Sequence, residues 1–99
     1  MKNYKKVYLD ALGLDETSFV ASEISGEKAI DIHHIIGRGK LGKDIIENLM
    51  ALTREEHIEF GDRKCYMVLL LKIHRQFLRN NKVAFSEEYF NEMIRKYED

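Results

Sequence analysis

The stretch AIDIHHIIGRGKLGKDIIENLMALTREEHIEFG, residues 29–61, carries the features that decide how this chain folds. Two adjacent histidines, His33 and His34, stand in an apolar, β-branched segment. Asn48 follows His34 by 14 residues, and His57 follows Asn48 by nine. Each of these residues alone would be uninformative, but their order, spacing and hydrophobic framing together form a specific pattern.

The same stretch divides into two predicted strands and a short predicted helix. Residues 29–36 are apolar and β-branched with polar interruptions, which predicts a strand. Residues 37–43 hold three glycines and three cations and are predicted to form a loop. Residues 49–52 predict a second strand. Thr53 can then cap a helix over residues 54–60, because its hydroxyl can accept a hydrogen bond from the first turn.

Amphipathic helices are predicted on both sides of this stretch. Apolar residues at helical spacing predict a helix over about residues 3–13 and a longer helix over about residues 63–80. A last helix over about residues 86–97 is capped by Ser86, and its apolar stripe comprises Phe90, Met93, Ile94 and Tyr97. The sequence therefore predicts the α+β class, in a single domain of residues 1–99.

Composition limits the classes of function. A chain of 99 residues with a net charge of −1 predicts one globular domain and argues mildly against indiscriminate DNA binding. Residues 38–82, however, carry 10 basic and 6 acidic side chains. No apolar run approaches the ~20 residues of a membrane span. The single cysteine, Cys65, is predicted to be a small buried hydrophobe and fits a cytoplasmic location, and His74 is interpreted as a structural or surface residue.

Residues 29–61 resemble the motif of the HNH endonucleases, which fold as the ββα-metal motif. The resemblance implies a short antiparallel hairpin and a helix around one divalent cation, flanked by additional helices. It implies hydrolysis of DNA phosphodiester bonds, with nicking expected from one site per chain. Small stand-alone members are common in phages and mobile elements. The implied setting is therefore a bacterial cytoplasm, with DNA as partner and a homodimer or a phage or mobile-element protein as further candidates.

The resemblance also implies roles for the four motif residues. His34 corresponds to the general base that activates water, and His33 and His57 correspond to metal ligands. Asn48 corresponds to a residue that assists catalysis, either by binding the metal or by holding the loop that orients the base, and both alternatives stay open.

Strand geometry sets a condition on the histidine pair. Neighbouring side chains of a regular strand point to opposite faces, so His33 and His34 can share one site only if the backbone twists or bulges. Asp31 stands two residues before His33 and so faces the same side of the strand. It is expected to hydrogen-bond the ring nitrogen of His33 that does not bind the metal.

Many HNH proteins hold a structural zinc with two pairs of cysteines, and this sequence departs from that pattern. Ser22 and Ser25 occupy the places of the first cysteine pair, and Thr53 and Glu56 those of the second. No structural zinc is expected, because hydroxyl groups are poor zinc ligands. Gly61 occupies the place of a further metal ligand, which predicts an open site completed by water and phosphate. Magnesium or manganese is favoured slightly, although two imidazoles also suit nickel or zinc.

The loop between the predicted strands carries candidate DNA contacts. Arg38, Lys40 and Lys43 can meet phosphates, since the glycines beside them let the backbone approach DNA closely. Three further cations near His57 are weaker candidates: Arg54, Arg63 and Lys64.

Two other functions compete with a nuclease. The absent cysteines and the acidic balance motivate a non-catalytic DNA-binding or assembly module on an HNH scaffold. A metal-binding regulator whose histidines sense zinc is the third hypothesis. Metal-dependent nicking separates the first hypothesis from both.

Overall fold

A two-stranded antiparallel hairpin lies at the centre of the fold. The structure, a computed structural model, describes residues 3–37 and 42–98. Strand β1 comprises Asp31–His34 and strand β2 comprises Leu49–Leu52. β2 has the predicted bounds, whereas β1 is shorter than the predicted strand over residues 29–36.

β1 ends early because the next backbone groups bond to a side chain. The N–H of Ile36 donates to Oδ1 of Asn48 at 2.8 Å, and the carbonyl of Ile36 accepts from Nδ2 at 3.0 Å. Asn48 ends a 3-10 turn over Ile46–Asn48 that leads into β2. A buried amide therefore replaces the strand partner that the backbone of Ile36 would otherwise need.

The hairpin is surrounded by four helices in the described part of the chain. Two of them keep their predicted positions, and the others are shorter than predicted. Their bounds are Asn3–Ala11 for α1, Arg54–Phe60 for α2, Met67–Asn80 for α3 and Glu87–Tyr97 for α4.

Side-chain caps explain why the predictions for α2 and α4 are confirmed. The Thr53 hydroxyl accepts from the N–H of Glu56, and the Glu56 carboxylate accepts from the N–H of Thr53, which forms a reciprocal capping box. Ser86 caps α4 by accepting from the N–H of Tyr89 at 3.1 Å. Caps of this kind satisfy N–H groups that have no partner inside the helix.

Helices α1 and α3 differ from their predicted bounds at one end each. α1 ends two residues before Gly13, which has a φ of +70°, a left-handed value that suits glycine after a helix. The segment predicted as the start of α3 forms a 3-10 turn over Lys64–Tyr66. Asp62, with a φ of +53°, redirects the chain before that turn.

β2 is buried on both faces and separates two apolar clusters. Met50 and Leu52 pack in the larger cluster, with side chains of α3 and α4, whereas Leu49 and Ala51 pack with Tyr8 of α1. In the antiparallel register, residues of β1 share the face of the β2 residue opposite to them. One face of the hairpin is thus covered by α3 and α4, and the other by α1.

A buried polar group joins α1, the loop after it and α3. Glu23 accepts from the Tyr8 hydroxyl at 2.6 Å, and its other oxygen lies 2.7 Å from Nδ1 of His74. Nε2 of His74 lies 2.6 Å from the carbonyl of Ile46, to which it must donate. His74 is fully buried and structural, in agreement with its interpretation from sequence.

One prediction about the interior is wrong. Cys65 is exposed rather than a small buried hydrophobe, because it lies on the 3-10 turn before α3 and not on the buried face of the helix itself. Among the described residues, no helix combines the length and the apolar character needed to cross a membrane.

Candidate metal centre

Two histidines and an aspartate converge where the hairpin meets α2. His33, from β1, and His57, from α2, bring Nδ1 and Nε2 to within 3.1 Å of each other. Asp62 follows α2, and one ligand atom from each of the three residues lies within 4.8 Å of the other two. His33 is almost fully buried, His57 half-buried and Asp62 exposed. The group therefore opens to solvent on the side of the carboxylate.

Asp31 holds His57 rather than His33. Its Oδ2 lies 3.0 Å from Nδ1 of His57, and the Arg54 side chain donates two hydrogen bonds to the same carboxylate at 2.8 and 3.0 Å. The expectation that Asp31 would partner His33 is wrong, although the two residues share a face as predicted. The carboxylate fixes the ring of His57 and leaves its Nε2 directed at His33.

The charges around the site favour a neutral His33 and an ionised Asp31. Burial, assisted by the neighbouring His57, lowers the pKa of His33 to about 4. The hydrogen bond from Arg54 holds the pKa of Asp31 below its ordinary value, against the opposing effect of burial. A neutral imidazole offers a lone pair, so His33 is ready to coordinate a cation at neutral pH.

Gly61 makes room for the two imidazoles. A Cβ at this position would lie 2.5 Å from Cδ2 of His57 and 3.2 Å from Cε1 of His33. Position 61 thus lacks a ligand, as the sequence predicts, but the next residue supplies one. The motif alone did not predict Asp62 as a ligand, although a carboxylate directly after this glycine was a visible signal.

His34 lies on the other face of the hairpin. It is paired opposite Leu49, whereas His33 is paired opposite Met50. Its Nε2 lies 2.7 Å from the carboxylate of Asp44, and its ring packs edge-on against Tyr4 of α1 at 4.7 Å. β1 pairs in regular register up to its last residue, so the twist that would bring both histidines to one face is absent from this strand.

Asn48 holds the loop between the strands. Its amide oxygen and nitrogen bind both backbone groups of Ile36, and Nδ2 also donates to the carbonyl of Lys43 at 3.1 Å. The side chain is fully buried. Its oxygen and nitrogen are both bonded to backbone, so Asn48 joins Ile36 to Lys43 and is not part of the histidine and aspartate group.

The structure describes some, but not all, of the cations that the sequence offers as DNA contacts. Arg38 and Lys40 lie outside the described residues, and Lys43 is exposed. Arg54 is bound to Asp31. Two of the weaker candidates line a cavity together with His33 and Asp62, namely Arg63 and Lys64.

Ser22, Ser25, Thr53 and Glu56 belong to one hydrogen-bonded cluster. Ser22 donates to Glu56 at 2.5 Å, and the N–H of Ser25 donates to the Ser22 hydroxyl at 3.2 Å. Glu56 also accepts from the N–H of Thr53. Hydrogen bonds thus join the segment before β1 to the start of α2.

Comparison with known proteins adds no relative: no family model, no curated protein and no solved structure matches this chain.

Proposed function

We propose that this chain is a divalent-metal-dependent DNA endonuclease of the HNH type, with the hairpin and α2 acting as a ββα-metal motif. The observation that carries the proposal is the group of His33, His57 and Asp62. Strand, helix and following turn each contribute one ligand atom, all within 4.8 Å of one another. The Asp31 carboxylate behind His57 is the kind of partner that metal-bound histidines commonly have.

The donor set fits a single divalent cation. Imidazole nitrogens suit nickel, zinc and similar borderline metals, and carboxylate oxygens suit manganese and magnesium. With two imidazoles and one carboxylate, manganese, nickel and zinc are favoured over magnesium. The bound cation would polarise a phosphate and stabilise the leaving oxygen.

The remaining side chains would handle water and orientation. His34 is the proposed base, and the hydrogen bond between its Nε2 and Asp44 leaves Nδ1 to take a proton from water. Asn48 holds the backbone directly after β1 and so fixes the end of the strand. For His33 and His34 to act on one phosphate, the end of β1 would have to twist when DNA binds, because neighbouring side chains of a regular strand point to opposite faces.

Plasmid cleavage tests this function. Supercoiled DNA is incubated with manganese, nickel, zinc or magnesium and with the wild type, His34→Ala or Asp62→Asn. The expected result is metal-dependent nicking by the wild type. His34→Ala should abolish this nicking, and Asp62→Asn should weaken it. Gln76→Ala, at an exposed position of α3 away from the metal group, is the control and is expected to cleave like the wild type. Cleavage that is equal in the wild type and His34→Ala would exclude His34 as the base.

One observation favours a non-catalytic metal-binding and DNA-binding module instead. His34 lies on the face opposite His33 and is engaged by Asp44 and Tyr4. Metal binding without nicking under any of the four cations would support this alternative.

A further inference from the structure

A cavity of about 220 Å³ lies beside the metal group. His33 and Asp62, two of the three candidate ligands, line it. Four apolar side chains also line it and form its apolar wall, namely Ile35, Phe60, Met67 and Leu70. Metal donors and an apolar wall therefore face the same small space.

The rim of this cavity is cationic. Arg63 and Lys64 both line it and both are exposed. They stand directly after Asp62, so positive charge lies next to the place where a bound cation would hold a phosphate. The cavity would therefore complement a ligand that has an anionic group at the rim and an apolar group against the wall.

We propose that this cavity binds the base of an unpaired nucleotide whose phosphate lies at the metal group, so that the substrate is single-stranded or locally unpaired DNA. This inference rests on the proposed function. Pockets for drug-sized ligands measure about 300–1,000 Å³, so this cavity suits one ring system. A base in a continuous duplex is stacked on both sides and can enter only if it leaves the stack.

The chemistry of the wall matches a nucleobase. Aromatic and apolar side chains bind the faces of bases without sequence preference. Phe60 supplies an aromatic ring, half-buried and packed edge-on against Tyr66 at 5.1 Å. The cavity therefore selects for an exposed base face and not for a particular base.

Nucleotide binding is tested first, independently of cleavage. Thymidine 5′-monophosphate and inorganic phosphate are titrated in the presence of calcium, and methyl NMR signals of Ile35, Met67 and Leu70 are followed. The nucleotide is expected to bind about fivefold or more tightly than phosphate, since stacking on a protein contributes about 1–3 kcal/mol per base. Equal affinities, or methyl signals that do not move, would overturn the proposal.

Matched variants separate the rim from general charge. Arg63→Gln with Lys64→Gln is compared with Arg95→Gln and Lys96→Gln, the same charge change on exposed positions of α4. Nucleotide affinity is expected to fall at least severalfold in the first pair and to stay unchanged in the second. An equal loss in both pairs would show binding by overall charge and overturn the rim assignment.

A second variant adds a side chain at the lining of the cavity without altering its apolar wall. Gly37 lines the cavity, and an added Cβ there meets no atom within 4 Å. Gly37→Leu is expected to weaken nucleotide binding severalfold, whereas Ala84→Leu, an exposed control, leaves it unchanged. Unchanged affinity in Gly37→Leu would place the base elsewhere.

Cleavage assays then distinguish this inference from the proposed function. Single-stranded DNA is expected to be cut at least severalfold faster than a matched duplex, and Gly37→Leu is expected to reduce that preference. Equal rates on both substrates would overturn the inference and leave the nuclease in place. Nucleotide binding at the cavity with no cleavage of any DNA would overturn the nuclease and leave the binding site.

Discussion

At the scale of single residues, the candidate site depends on one missing side chain. Gly61 follows α2, and the imidazoles of His33 and His57 occupy the space that any larger residue would need. Asp62 comes next with a left-handed φ of +53°. A glycine and an unusual backbone conformation together place a carboxylate beside the two imidazole rings.

Gly61→Ala is expected to weaken both the fold and metal binding. Its Cβ would lie 2.5 Å from the His57 ring and from the His57 carbonyl, so one of them must shift. Overpacking of this kind costs about 1–3 kcal/mol. Manganese titration and urea denaturation measure the two effects. Gly37→Ala, whose Cβ meets no atom within 4 Å, should be close to neutral, and equal effects of both changes would refute the crowding argument.

The burial of His33 predicts that the metal-free protein becomes less stable as pH falls. Its pKa is about 4 in the folded protein, against an ordinary value of 6.5. Between these values the unfolded chain takes up a proton that the folded chain does not, so stability is lost as pH falls from about 6.5 towards 4. Urea denaturation across this range measures the slope. His33→Gln should have a smaller slope, and an unchanged slope would assign the effect to other groups.

At the scale of elements, α2 is short but held at its start. Burial raises the pKa of the Glu56 carboxyl, but hydrogen bonds from Ser22 and Thr53 outweigh this effect and leave that pKa below its ordinary value. The same carboxylate closes the capping box and joins the segment before β1. Seven residues make a marginal helix in isolation, so these bonds decide where His57 stands.

Glu56→Ala is expected to destabilise the protein by about 1–2 kcal/mol, because a cap and a bond between segments are both lost. Glu55→Ala, the same change at the exposed neighbouring position, should cost about 0.5 kcal/mol or less. Chemical denaturation of both variants measures the difference. Similar losses would indicate that helix propensity and not the hydrogen bonds governs the effect.

At the scale of the whole molecule, one buried polar group connects the layers on the two sides of the hairpin. Glu23 and His74 have no exposed side-chain surface. They join Tyr8 of α1 to α3 and to the 3-10 turn before β2. The relative position of α1 and α3 therefore depends on polar contacts as well as on apolar packing.

His74→Leu is expected to destabilise the protein by about 3–5 kcal/mol, because the Glu23 carboxylate would be left buried without its partner. Replacing both residues by leucine should cost less than the sum of the single changes. Gln76→Ala, at an exposed position of the same helix, serves as the control. Strict additivity of the two leucine changes would show that the pair does not interact.

Local signals in the sequence determined much of this protein. The caps at Thr53 and Ser86, and the apolar run of β2, predicted elements that the structure contains with the same bounds to within one residue. The alternation of strand side chains predicted that His33 and His34 could share one site only if the backbone twisted, and the regular register leaves them on different faces. These features could be predicted because each depends on contacts within a few residues, or on the fixed period of a strand.

Tertiary structure alone decided which side chains meet. Asp31 bonds His57 and not His33, Asp62 joins the histidines, and Asp44 engages His34. The burial of Glu23 against His74 joins residues 51 positions apart. None of these pairings follows from spacing, because each depends on how the helices pack on the hairpin and where a left-handed residue turns the chain after α2.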